Sequence, residues 1–97
     1  MDQLSLQPNE RLIVIGSVRA AEYWLYENEV PSDRRPPTII VYTRMVYMRM
    51  AGLRGPLRLV QLRDAYDVVG PQTAGDVLAH ARRINALGRH PTTITFE

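Results

Sequence analysis

The chain has no cysteine, no lysine, one tryptophan, one phenylalanine and two histidines in 97 residues. Without cysteine there are no disulfide staples and no thiolate metal site. The two histidines, His80 and His90, are ten positions apart, too far for a helical His-x-x-x-His pair. Asp76 lies one helical turn before His80, and we read that pair as a solvated helix face, so no metal or cofactor is expected. Nucleophilic catalysis has equally little to work with. Ser5, Ser17 and Ser32 do not sit in a Gly-x-Ser-x-Gly elbow, and Gly52-Leu53-Arg54-Gly55 has neither the lysine nor the following helix of a phosphate loop. Asp64 and Asp67 are the best carboxylate pair, but on a strand they point to opposite faces. The expectation is a protein that is not an enzyme. Long apolar runs are missing too. Leu12 to Ile15 is far short of the roughly 20 residues that cross a bilayer, and Met1 to Pro8 lacks the basic start and apolar stretch of a signal peptide. A cytoplasmic chain is expected.

What is present suits one small domain spanning residues 1–97. The mass is 11.1 kDa, with 45% hydrophobic and 23% charged residues, near the globular average and against wholesale disorder. At this size roughly two-thirds of the surface of the unfolded chain is buried on folding, enough for one core. All twelve cations are arginine, against ten acids, for a net charge of +2. Exclusive arginine use is what a GC-rich genome gives. It also suits forked contacts to carboxylate or phosphate, but an excess of two charges is weak ground for nucleic-acid binding.

Along the chain, Arg11 to Val18 reads as a central strand, β-branched and apolar on both faces, with Gly16 marking a bulge or a close backbone approach. Arg19 to Glu27 is ambiguous. Ala20, Tyr23, Trp24 and Glu27 fit a helical face, but the run Tyr23-Trp24-Leu25-Tyr26 favours a strand. Asn28 to Pro37 is a proline-rich loop. Thr38 to Met50 is the strongest β signal, too long for one average strand, so a hairpin turning near Thr43-Arg44 is the economical solution and one long bent strand the alternative. Leu57 to Arg63 is a further strand whose apolar positions switch parity between Leu59 and Val60, which suggests a bulge or a twist. The strand character continues through Asp64–Val69 to a stop at Gly70-Pro71. Thr73 and Asp76 have capping-box spacing and open a helix over about 73–87, with Val77, Leu78, Ala81, Ile84 and Leu87 on its inner face and Gly88 as its stop. Pro91 to Phe96 is β-like. These elements imply an α+β fold: an antiparallel β-sheet of four to six strands, one helix packed on a face, and a short C-terminal strand.

Several segments resemble the small bacterial domains similar to pleckstrin-homology domains. Leu6, Pro8 and Glu10 before Leu12-Ile13-Val14-Ile15 resemble their opening. Val41-Tyr42-Thr43-Arg44-Met45-Val46-Tyr47 resembles their strand–turn–strand step, with Met45 where a second arginine is usual. Leu59-Val60-Gln61-Leu62-Arg63-Asp64 resembles a later strand. The resemblance covers residues 6–69, and no functional residue is carried over from it.

With no catalytic constellation, the surface-forming residue types carry the functional expectation. Tyr, Trp, Met and Arg are common interface anchors. The chain is expected to be a non-enzymatic interaction module that binds a protein partner, with self-association through an exposed strand at Thr92–Phe96 as one form of it. Tyr42, Tyr47, Met48, Arg49, Arg34 and Arg35 are the candidate interface. The alternative is an arginine-based nucleic-acid-binding regulator, in which a two-stranded ribbon carrying Arg44, Arg49, Arg54 and Arg58 contacts the groove.

Overall fold

A computed structural model describes residues 10–28, 38–43 and 56–97. Four strands and two helices follow one another as β1 (Arg11–Ile15), α1 (Val18–Glu27), β2 (Thr38–Val41), β3 (Leu57–Gln61), α2 (Ala65–Leu87) and β4 (Thr93–Phe96). The strands form one sheet in the order β2-β1-β3-β4, and every neighbouring pair is parallel. The radius of gyration, 12.5 Å, is that of one small compact domain. Among the described residues no helix is long and apolar enough to cross a membrane.

This overturns the antiparallel sheet with a single helix. The physical reason lies in β1. Leu12, Ile13, Val14 and Ile15 are all fully buried, so both faces of the strand need cover. Parallel strands are joined by crossovers, which place helices on the faces of a sheet. Ile13 and Ile15 pack with Leu57, Leu59, Val41 and the inner residues of α2, namely Ala65, Val69, Ala74, Val77 and Ala81. Leu12 and Val14 pack with Val60, Leu62 and the α1 residues Ala21, Trp24 and Leu25. The parity switch in β3 has the same origin. The register between β1 and β3 runs unbroken from Arg11↔Leu57 to Ile15↔Gln61, so there is no bulge. Leu57 and Leu59 serve one helix and Val60 and Leu62 the other.

Two segments expected as strand are helical. In the segment 19–27, Ala21, Trp24 and Leu25 are the buried residues, at helical spacing, and Ser17 caps the start by accepting from the Ala20 N–H. The segment 64–69 is the first turn and a half of α2, with Ala65 and Val69 one turn apart on its buried face. Gly70 and Pro71 do not stop the chain but kink the helix. Gly70 takes φ +83 and ψ 158, open to glycine, and Pro71 opens the second segment, where its missing N–H costs little. Thr73 is therefore a buried residue in the first turn of the second segment rather than its cap. The helix does end at Gly88. Leu87, expected on the inner face, is 82% exposed, while Leu78 and Ile84 are partly buried against the core. The strand expected over 38–50 ends at Val41. The turn at Thr43-Arg44 and the loop over 29–37 reach outside the described residues.

One polar clamp joins helix to sheet. Asn85, fully buried near the end of α2, accepts from the Leu57 N–H (2.8 Å) and donates to the Leu57 carbonyl (3.0 Å) and to Thr92 Oγ1 (3.2 Å). It completes the backbone bonding of the first residue of β3. Replacing Asn85 by alanine strands both backbone groups of Leu57. It should cost about 2–4 kcal/mol in urea unfolding, since each orphaned buried group costs about 1–3 kcal/mol. A loss below about 1 kcal/mol would show that the clamp does not anchor α2.

Candidate functional site

In open parallel sheets, ligands bind outside the carboxyl ends of the strands, where chain connections diverge to opposite faces. Here that point lies between β1 and β3. The chain leaves β1 through Gly16-Ser17 into α1 on one face, and leaves β3 through Leu62-Arg63-Asp64 into α2 on the other. The ladder extends past the strand ends to hold the two exits: Gly16 N–H donates to the Val41 carbonyl (3.1 Å), and Leu62 N–H to the Ile15 carbonyl (3.0 Å).

The crevice is filled by the protein itself. Ser17 Oγ donates to Asp64 Oδ2 at 2.6 Å, and the Ser17 N–H faces both carboxylate oxygens at 3.4 Å. Asp64 thus occupies the electropositive start of α1, where a phosphate would otherwise be held. A phosphate would have to displace a carboxylate already bonded there. Gly16 permits this closure. A Cβ at Gly16 would meet Asp64 Oδ1 at 2.6 Å and Leu62 Cδ1 at 2.9 Å, and its φ is +156.

Beside the crevice, on the α1 face, an open groove of about 630 Å³ remains. Ala20, Tyr23, Trp24, Glu27 and Asn28 of the α1 flank form one wall, and Leu62, Arg63, Asp64 and Glu97 the other. Glu97 is held there by its N–H, which donates to the Gln61 carbonyl at 2.9 Å. The Tyr23 phenol, one turn before Glu27, donates to the Glu27 carboxylate. That bond and the repulsion of a second negative charge raise its pKa above the usual value near 10. Trp24 is buried in the core beneath, and its indole N–H has no hydrogen-bond partner among the described residues.

The expected site residues fare unevenly. Tyr42 follows β2 at the same carboxyl edge of the sheet and is exposed. Tyr47, Met48, Arg49, Arg34 and Arg35 of the candidate interface lie outside the described residues, as do Arg44 and Arg54 of the arginine ribbon. Arg58 lies at the opposite end of the sheet, with Nε 2.7 Å from Glu10 Oε1, and Glu10 is itself buried. Asp64 and Asp67 are not strand residues: they sit at the start of α2, with Asp64 turned to Ser17. Among the described residues no cluster of histidine and acids could hold a metal ion. Sequence reasoning missed the Ser17–Asp64 pair and the groove. The local signal for the first was Gly16-Ser17 between an apolar run and an alanine-rich segment. The partner 47 positions away had none.

No family model matches the chain, and no curated protein or solved structure shows significant similarity to it. The resemblance to domains similar to pleckstrin-homology domains draws no support from these comparisons.

Two glycine substitutions should separate close approach from open helix. Gly16→Ala should destabilise by about 1–3 kcal/mol, the usual range for overpacking. Gly75→Ala, with open space around its Cβ on α2, should be neutral or stabilise by up to about 1 kcal/mol. Thermal melts giving the same sign for both would refute the closure described at Gly16.

Proposed function

We propose that this chain is a non-enzymatic module that binds a protein partner at the carboxyl edge of its sheet. The observation that carries the reading is the groove between α1 and the end of β3, walled by Tyr23 and Trp24 beside a crevice whose own hydrogen-bonding groups are already spent on each other. Aromatic side chains on a rigid helix are the usual anchors of a protein interface. Exposed Val18, Tyr42 and Tyr66 follow the carboxyl ends of β1, β2 and β3, and exposed Phe96 is the last residue of β4. The proposal includes a cytoplasmic setting.

Self-association is a second form of the reading, favoured by β4. It is paired only to β3 among the described residues, and its sequence Thr-Ile-Thr-Phe carries neither a charge nor a proline to block the outer edge. Of the four arginines of the nucleic-acid alternative, Arg44, Arg49 and Arg54 lie outside the described residues, and Arg58 is engaged by Glu10 at the opposite end of the sheet from the groove.

A photo-crosslinking residue at position 23, compared with position 82 on the exposed side of α2, tests the site in cells that make the protein. One recurrent adduct should form from position 23 and not from position 82. Its protein, once identified and purified, should bind the wild-type chain and bind Tyr23→Ala at least fivefold more weakly. Identical adducts from both positions, or none from position 23, would retire the reading. Light scattering across a hundredfold concentration range addresses the second form, and a monomer throughout excludes it.

A further inference from the structure

One hydrogen bond sets the backbone polarity of β4. Along a strand in a parallel sheet, successive residues turn their N–H and C=O groups to one side and then the other. Glu97 N–H donates to the Gln61 carbonyl at 2.9 Å, so Glu97 faces β3. Thr95 and Thr93, two and four positions earlier in the same unbroken register, face β3 with it. Ile94 and Phe96 therefore turn their main-chain groups away from β3, to the outer edge of the sheet. Among the described residues nothing pairs with that edge. Thr93 to Phe96 also lack the charge, proline or bulge that guards such an edge in other proteins.

The side chains supply a second, independent observation. Ile94 packs against the core beneath α2. Phe96, two residues on, shares that face of the sheet but is 67% exposed, without an apolar cover of its own. Thr95 lies on the other face, the face of Val60.

Resting on the self-association form of the reading above, we infer that β4 pairs antiparallel with β4 of a second copy, about a two-fold axis through Thr95. A hydrogen-bonded antiparallel pair needs both of its residues to face outward. Ile94 opposite Phe96 of the second copy is the two-fold register that pairs both outward residues within the four-residue strand. It makes four main-chain hydrogen bonds, two on either side of the axis. Chosen on the backbone alone, this register also sets the exposed Phe96 ring beside Ile94 of the second copy, and Thr95 against Thr95 of the second copy, both favourable cross-strand pairs. Glu97 falls opposite Thr93 of the second copy, so no like charges meet. The contact is isologous and joins two four-stranded sheets into one of eight. It is small beside the roughly 1,600 Å² of a standard interface, so the dimer dissociates on dilution.

The test uses the full chain, which has no cysteine of its own. Facing Thr95 residues would form a non-hydrogen-bonded pair with Cα atoms about 4.5 Å apart, within disulfide reach. Thr95→Cys should therefore oxidise to a disulfide-linked dimer at least tenfold faster than Thr93→Cys, whose two copies would lie about 13 Å apart along the strands. Phe96→Pro removes an outward N–H and no bond to β3. It should melt near the wild type and, in sedimentation velocity, dimerise at least tenfold more weakly. Phe96→Asp, which keeps the backbone donor but puts a charge on the edge, should weaken the dimer as well. Equal cross-linking at 93 and 95, or a dimer that both Phe96 variants leave unchanged, would overturn the edge pairing while leaving self-association through another surface. A Phe96 amide already protected from hydrogen exchange in dilute protein would overturn it by assigning the edge to a segment of the same chain. A monomer at every concentration would overturn both this inference and the self-association form, and the position-23 adduct would still decide the groove.

Discussion

Everything in this fold follows from a strand that has no surface. Leu12, Ile13, Val14 and Ile15 are each completely buried, so β1 must lie inside the sheet and have a helix on each side. Strands β2 and β3 flank it in parallel, and a parallel neighbour has to be reached by a crossover rather than a tight turn. The two described crossovers pack on opposite faces because the apolar residues of β1 alternate between them: Ile13 and Ile15 for α2, Leu12 and Val14 for α1. Removing the apolar character of either parity would leave one helix with nothing to cover.

That arrangement opens a crevice where the exits of β1 and β3 part, and the chain closes it with its own side chains. The Ser17–Asp64 bond joins the start of one helix to the start of the other and supplies the anion that the dipole of α1 favours. The cost is borne by Gly16, which can carry no side chain there. Once the crevice is satisfied internally, the accessible chemistry moves sideways. It lies in the space between α1 and the β3–β4 half of the sheet, where Thr95 rather than an apolar residue shares the face of Val60. The groove is thus a by-product of covering β1 with a ten-residue helix that leaves part of the same face open.

How much of this was legible depends on the range of each interaction. β1 and β3 were readable because burial on both faces leaves a mostly apolar run, and the C-terminal strand because Thr93 to Phe96 are all β-branched or aromatic although the strand is only partly buried. The end of α2 was readable at Gly88. The segment 19–27 misled because Tyr23-Trp24-Leu25-Tyr26 has strand-like composition, whereas the deciding feature is Ser17 capping Ala20, a contact three residues long that β-propensity does not weigh. Gly70-Pro71 does interrupt the chain as expected, with Gly70 in non-helical geometry, but it separates two helical segments rather than a strand from a helix: Ala65 and Val69 on one side and Ala74 and Val77 on the other bury into the same core. Strand direction was not legible at all. Leu57 to Gln61 reads the same parallel or antiparallel, and only the register with β1 distinguishes them. The groove draws on residues from 20 to 97, and no spacing rule joins those.

Trp24 ties the core to the groove. Its ring packs in the cluster of Leu12, Val14, Leu25 and Leu62, and its buried N–H has no hydrogen-bond partner among the described residues. A phenylalanine or leucine would supply the same apolar body without an orphaned donor, an omission worth about 1–3 kcal/mol in a buried setting. The same ring anchors α1 against the sheet. The helix carries Tyr23 and Glu27 with it, so the aromatic and acidic parts of the wall move as one rigid face.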